Sequence, residues 1–123
     1  MSFCTAVNCL DGRVQEVVVS LLKAHFGVDY VDMITEAGPV RYLAGEVSGE
    51  IAESIMSRVE LSVTAHDSVG IAVVAHYDCK GNPEPESVQK SQLAEAGSYL
   101  KGRYPSLPVV QVWVDSDWRG HCL

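Results

Sequence analysis

One stretch narrows the folds open to this chain more than any other: Val69-Gly70-Ile71-Ala72-Val73-Val74-Ala75, a run with no polar side chain. A strand covered on one face alternates apolar with polar residues. An unbroken apolar run of this length fits a strand buried on both faces, as in a parallel sheet between helix layers. Parallel strands need long crossovers, so the remainder of the chain should supply helices between strands.

It does. Phe3 to Asn8 reads as a short central strand that Cys9 closes. From Gly12 the apolar period becomes helical, through Val14, Val17, Val18, Leu21 and Leu22, and Gly27 is placed to terminate that helix. Val28 to Thr35 reads as the second strand, ending in the turn signal Glu36-Ala37-Gly38-Pro39. Residues 40–48 carry no clear period, and Gly45 and Gly49 argue for a loop. Ile51, Ile55, Val59 and Ser62 form a second helical stripe before the apolar run. Lys80 to Glu86, with Gly81, Pro83 and Pro85, cannot be helical; Ser87 is placed to cap a third helix through about Leu100. Val109 to Val114 reads as the fourth strand, and Asp115 to Leu123 as a short polar surface tail. The expected architecture is a single α/β domain over residues 1–123: three layers, a mainly parallel sheet of about four strands, and helices on both faces.

Composition excludes several functions. Nine basic against sixteen acidic side chains give a net charge of −7, and no basic run exists, so nucleic acid is not the expected partner. No apolar stretch approaches the roughly 20 residues that span a bilayer. Met1-Ser2-Phe3-Cys4-Thr5-Ala6 lacks the charged start and apolar core of a signal peptide, so the expected location is the cytoplasm. In a reducing compartment four cysteines beside a histidine favour metal chemistry over disulfides.

The chemistry-bearing residues stand in two places, Cys9-Leu10-Asp11-Gly12-Arg13 after the first strand and His76-Tyr77-Asp78-Cys79 after the third. Together they offer two thiolates, an imidazole and a carboxylate, a ligand set suited to four-coordinate Zn²⁺. For Cys9, His76 and Cys79 to share one ion at about 2.0–2.3 Å, strands one and three must be neighbours. Strand two then lies on the far side of strand one, giving the order 2-1-3-4. The site falls at the carboxyl ends of the strands, where open α/β sheets bind ligands.

Cys-x-Asp-x-Arg after a first strand, Ala-Gly after a second and His-x-x-Cys after a third resemble the β-class carbonic anhydrases. Here these are Cys9-Asp11-Arg13, Ala37-Gly38 and His76-Cys79, and the resemblance covers roughly residues 3–81. It implies Zn²⁺ held by Cys9, His76 and Cys79, with water or Asp11 in the fourth position. It further implies that Arg13 draws the Asp11 carboxylate off the metal, and that Asp11 orients a zinc-activated hydroxide that converts CO₂ to bicarbonate. Two thiolates cancel the metal's charge, so the site would polarise water less than a three-histidine site does, and a dyad acceptor would compensate. The alternatives are the same site acting on carbonyl sulfide or carbon disulfide, or a non-catalytic relative whose zinc Asp11 closes. A homodimer or higher homo-oligomer is expected from the family and from an exposed sheet edge.

The chain departs from the family in two readable ways. It begins almost at the first motif, where many members carry N-terminal helices, and Lys80 stands where glycine is usual. A cation at that position would either draw bicarbonate in or obstruct the pocket.

The remaining candidates read more plainly. Cys4 starts the strand that Cys9 ends, roughly 16 Å away at about 3.3 Å per residue, and cannot share the ion. His121 and Cys122 read as a loose tail, and His25 and His66 as surface or capping residues at helix ends. Trp113 and Trp118 read as packing residues. Asp115 and Asp117 read as solvated turn residues at the pocket's edge. Gly38 and Gly81 either admit backbone to the site or serve their turns.

Overall fold

A computed structural model describes residues 1–123. The strands are β1 Phe3–Cys9, β2 Tyr30–Glu36, β3 Ile71–His76, β4 Val109–Val114 and β5 Gly120–Cys122. The helices are α1 Gln15–Phe26, α2 Glu50–Ala65 and α3 Glu86–Arg103, with short 3₁₀ turns at Gly12–Val14 and Pro39–Tyr42. The sheet order is β2-β1-β3-β4-β5, parallel except for the last pair.

Alternation along the strands divides the core into two. Ile71, Val73 and Ala75 of β3 join Val7, Ile34 and Trp113 against Ile55 and Val59 of α2 and Leu93, Ala96 and Leu100 of α3. Ala72 and Val74 face the other way, with Cys4, Ala6, Val110 and Val112, onto Val18 and Leu22 of α1. One helix therefore covers one face and two cover the other, which is why β3 is buried at every position. The three-layer α/β expectation and the 2-1-3-4 order stand as read.

Details differ. The sheet has five strands, because the segment expected to be a loose tail folds back as β5 antiparallel to β4, pairing Trp113 with His121 and Val112 with Cys122. Strand two begins at Tyr30, not Val28: the Tyr30 and Asp29 amides both donate to the Ser2 carbonyl, and parallel pairing with β1 starts at Phe3↔Tyr30. The third helix starts at Glu86 behind Pro85, so Ser87 lies inside it and caps nothing. Proline's fixed φ pre-sets that first turn without a side-chain cap. In α2 the buried stripe is Ala52, Ile55, Met56, Val59 and Ser62, leaving Ile51 exposed.

One irregularity positions the site. β1 pairs with β2 along its whole length, but with β3 only from Thr5↔Ile71 to Val7↔Val73. Beyond Val7 the ladder stops, and the carboxyl ends of the two central strands part at the switch point.

Candidate metal centre

Three side chains fill that gap. The ligand atoms of Cys9, His76 and Cys79 all lie within 4.8 Å of one another. His76 is 0% exposed, Cys9 4% and Cys79 5%, so the group is closed to bulk water. Cys9 is the last residue of β1 and His76 the last of β3, one place earlier than a loop after the strand would put it. Asp78 adopts a positive φ of 56° and turns the chain so that Cys79 comes back over the strand end.

The backbone around Cys9 and His76 is pinned by side-chain amides. Asn8 Oδ1 accepts from the Cys9 N–H at 2.9 Å, and Gln15 Nε2 donates to the carbonyls of Cys9 (2.7 Å) and Asp11 (2.9 Å). Gln89 Nε2, from α3, donates to the carbonyls of His76 (3.0 Å) and Glu84 (3.1 Å). None of these three was singled out in the sequence.

Gly38 and Gly81 have a shared reason to be glycine. A Cβ on Gly38 would lie 2.6 Å from the Gly81 carbonyl carbon, and one on Gly81 would lie 2.5 Å from the Ala37 carbonyl carbon. The Ala37–Gly38 turn therefore packs backbone to backbone on the loop after Cys79. Gly38, at φ +57°, aims its N–H at Cys9 Sγ, 3.5 Å away.

The donor set fits a metal ion. His76 Nδ1 lies 2.7 Å from the Tyr77 carbonyl, which can only accept; Nδ1 must carry the proton there. Nε2 is then a bare lone pair, and it is buried with no hydrogen-bond partner. An orphaned buried acceptor beside two sulfurs is unfavourable unless a cation fills the space between them. The sulfurs are 3.9 Å apart, too far for a disulfide and close to the separation of about 3.8 Å that two thiolates take on a tetrahedral ion at about 2.3 Å.

Electrostatics agree with the geometry. The Cys9 thiol is brought down by the hydrogen bond from Cys79, against the opposing effect of burial, with help from the amides of Gly38 and Asp11. Cys79 is pushed up, first by donating to Cys9 and then by burial. The pair thus favours a single shared proton, with Cys9 the more acidic partner. Cys4, buried in the α1-side core without such donors, is instead raised by burial to about 11.

Asp11 and Arg13 lie beside this group. Asp11 caps the 3₁₀ turn: Oδ1 accepts from the Arg13 N–H (2.9 Å) and Nε (3.0 Å), and Oδ2 accepts from Nη2 (2.6 Å). The Asp11 carboxylate is turned to the guanidinium and does not belong to the three-residue cluster. Hydrogen bonding to Arg13 holds its carboxyl down at about 2. Arg13 also reaches Asp78 Oδ2 and the Asp78 carbonyl, each at 3.3 Å. Lys80 turns away to Asp78 Oδ1 at 2.9 Å and is 84% exposed, so it neither plugs the site nor points into it.

The other candidates lie elsewhere. His66 ends α2 and pairs with Asp32; His25 lies in the last turn of α1, 3.8 Å from Cys122 Sγ. Asp115 organises the β4–β5 turn, accepting from the amides of Asp117 and Arg119 and from His121 Nε2. Trp113 is core, and Trp118 packs against the edge of the α1-side core while also lying under Arg13, with the guanidinium carbon 4.3 Å from its ring centre.

Compared with known proteins, residues 1–123 match a family model described as "Putative carbonic anhydrase". No curated protein matches the chain. No helix is long and apolar enough to cross a membrane.

Proposed function

The chain belongs to the carbonic anhydrase-like family that this model describes, and from that premise we propose that it is a zinc lyase interconverting CO₂ and bicarbonate. The observation that carries the reading is the buried, unpartnered Nε2 of His76 between two sulfurs, next to a carboxylate held by a guanidinium. Cys9, His76 and Cys79 are the proposed ligands. Zinc, when bound there, would supply Lewis acidity that makes water a nucleophile near neutral pH.

The chain's own residues divide the remaining work. The Tyr77 carbonyl fixes the His76 tautomer and keeps Nε2 free to ligate. Arg13 occupies Asp11 through Nε, Nη2 and its main-chain N–H, which leaves the carboxylate lone pairs not facing Arg13 to orient the reacting water. A carboxylate at about 2 is too weak a base to keep a proton at neutral pH. Asp11 therefore orients and does not store the proton, which leaves to buffer; the Asp11 and Arg13 side chains are 18% and 43% exposed, so solvent reaches the dyad. The free edge of β2, with Tyr30 half exposed, suits the proposed homo-oligomer, which sedimentation velocity would test.

The test is stopped-flow CO₂ hydration on protein assayed for zinc in the same preparation. About one zinc per chain with rapid, chelator-sensitive hydration is expected. Asp11→Asn should keep its zinc and lose about 10–100-fold in kcat. Undiminished turnover in that variant would refute the role of Asp11. Zinc without hydration, but with turnover of carbonyl sulfide or carbon disulfide, would refute the substrate and keep the site.

A further inference from the structure

We propose that Trp118 is a positioning residue: its ring, with Asp78, clamps the Arg13 guanidinium, and Arg13 so clamped keeps the Asp11 carboxylate outside the Cys9–His76–Cys79 cluster. The inference rests on the reading of that cluster as a zinc site. Trp118 stands far along the chain from the dyad, on the turn between β4 and β5.

The guanidinium is held on three sides. Asp11 takes Nε and Nη2, Asp78 takes Nη1 through Oδ2 and Nη2 through its carbonyl, and the Trp118 ring lies 4.3 Å from Cζ. Arg13 is 43% exposed on its side chain, and ion pairs that open to water are weak by themselves. A ring covering one face removes water from that face and adds its own attraction for the cation. The same ring meets Tyr77 at an interplanar angle of 66°, and its centre lies 6.4 Å from that of His76, so Trp118 sits between the dyad and a candidate ligand.

Backbone geometry singles out the same contacts. Only three non-glycine residues have positive φ: Asp67, Asp78 and Trp118. Two of the three touch Arg13. A bulky residue at φ 60° is rare, and such a conformation persists only where its surroundings over-determine it. Here they do. The Trp118 and Asp115 amides donate to the carbonyls of Asp115 and Arg119 respectively, both at 3.0 Å, and the Asp115 carboxylate gathers the amides of Asp117 and Arg119 and the His121 ring. β5 then docks on α1, where a Cβ on Gly120 would lie 2.9 Å from Leu21 Cδ2. The turn is tied to β4 and to α1, and it delivers the ring to Arg13. Filling space alone would not require the turn to hold a tryptophan in the left-handed region.

The consequence concerns which ligand completes the site. Loosening Arg13 frees Asp11 to turn toward the Cys9–His76–Cys79 cluster and the metal it would hold. Closure by a third anion would strengthen metal binding while removing the open position that catalysis needs. Trp118→Asn deletes the ring but tolerates the left-handed backbone, whereas Trp118→Tyr keeps an aromatic face. In Trp118→Asn we expect zinc to bind about 10-fold more tightly in chelator competition, and kcat to fall about 10–100-fold at unchanged KM. Adding Asp11→Asn should abolish the gain in affinity, and Trp118→Tyr should restore wild-type values. In metal-free protein the Arg13 Nε–H resonance should be shielded and slow to exchange, and should lose both properties in Trp118→Asn.

Unchanged zinc affinity in Trp118→Asn, or a gain that survives Asp11→Asn, would overturn the positioning role. A wild-type protein that binds zinc without hydrating CO₂ would refute the reaction, while the affinity comparison would still decide the role of Trp118. A wild-type protein that binds no zinc would overturn the metal reading, and with it the consequence for Asp11; the metal-free Nε–H resonance would then decide the clamp alone.

Discussion

Gly38→Ala is the substitution whose effect follows most directly from the backbone. Gly38 has φ +57° and ψ +56°, the left-handed helical conformation, which costs an L side chain about 1–2 kcal/mol. The added Cβ would also meet the Gly81 carbonyl carbon at 2.6 Å, Asn82 Cβ at 2.7 Å and the Asn82 nitrogen at 2.8 Å. Two of these atoms are backbone and the third is fixed to it, so no side chain can rotate away. Overpacking of this kind costs about 1–3 kcal/mol. The sum, about 2–5 kcal/mol, is a large part of a typical domain's stability of about 5–15 kcal/mol.

Two other glycines separate those contributions. Gly81→Ala meets Ala37 as closely but without a positive φ, so it should cost about 1–3 kcal/mol, the steric part alone. Gly102→Ala, in α3 with nothing within 4 Å, should stabilise by up to about 1 kcal/mol. The assay is urea unfolding in chelator, so that no metal enters the comparison, followed by zinc competition. Parting the loops should remove the Gly38 N–H from Cys9 and weaken zinc binding. A loss below about 0.5 kcal/mol in Gly38→Ala would refute the reasoning, since that is the range of ordinary surface changes.

Other outcomes follow from the same geometry. His76→Gln should abolish stabilisation by zinc, which at 100-fold excess over Kd is about 2.7 kcal/mol in the wild type, as read by thermal melts with and without metal. Asp11 has its folded pKa lowered to about 2 from an ordinary 3.8; its contribution to stability is present above about pH 4 and is lost as pH falls toward 2. Arg13→Gln should therefore lower stability at neutral pH and flatten the acid limb of the unfolding curve. Tyr104 is raised to about 12, first by burial and then by its hydrogen bond to Glu60. Its contribution is complete below pH 10 and fades as pH rises toward 12, and Tyr104→Phe should remove a tyrosine titrating near pH 12 from an absorbance titration.

What was legible divides by how many residue types could serve a position. A strand buried on both faces admits only apolar residues, so β3 stood out, as did β4. The two thiols and the imidazole were readable because few side chains ligate a metal, and the requirement that they meet set the strand order. β5 was not readable: Gly120, His121 and Cys122 have no apolar alternation, and the turn before them places Trp118 at positive φ where glycine or asparagine would have signalled it.

The residues that hold the site in shape were hidden for a different reason. Asn8, Gln15 and Gln89 act through amide groups on main-chain carbonyls and N–H groups, and nothing in the sequence separates such an amide from one that faces water. Gly38 and Gly81 were each legible as turn residues, but their mutual contact belongs to two loops brought together by the crossover from β2 to β3. Chemistry restricts residue type at the reacting atoms, and topology decides which other residues come to support them. Arg13 joins the two cases: its partner two residues earlier is local and could be inferred, whereas Asp78 and Trp118 reach it only because β3 and the β4–β5 turn end on the same side of the sheet. Exchanging Asp11 tests chemistry that a motif implies, and exchanging Trp118 tests whether topology alone has placed a working part.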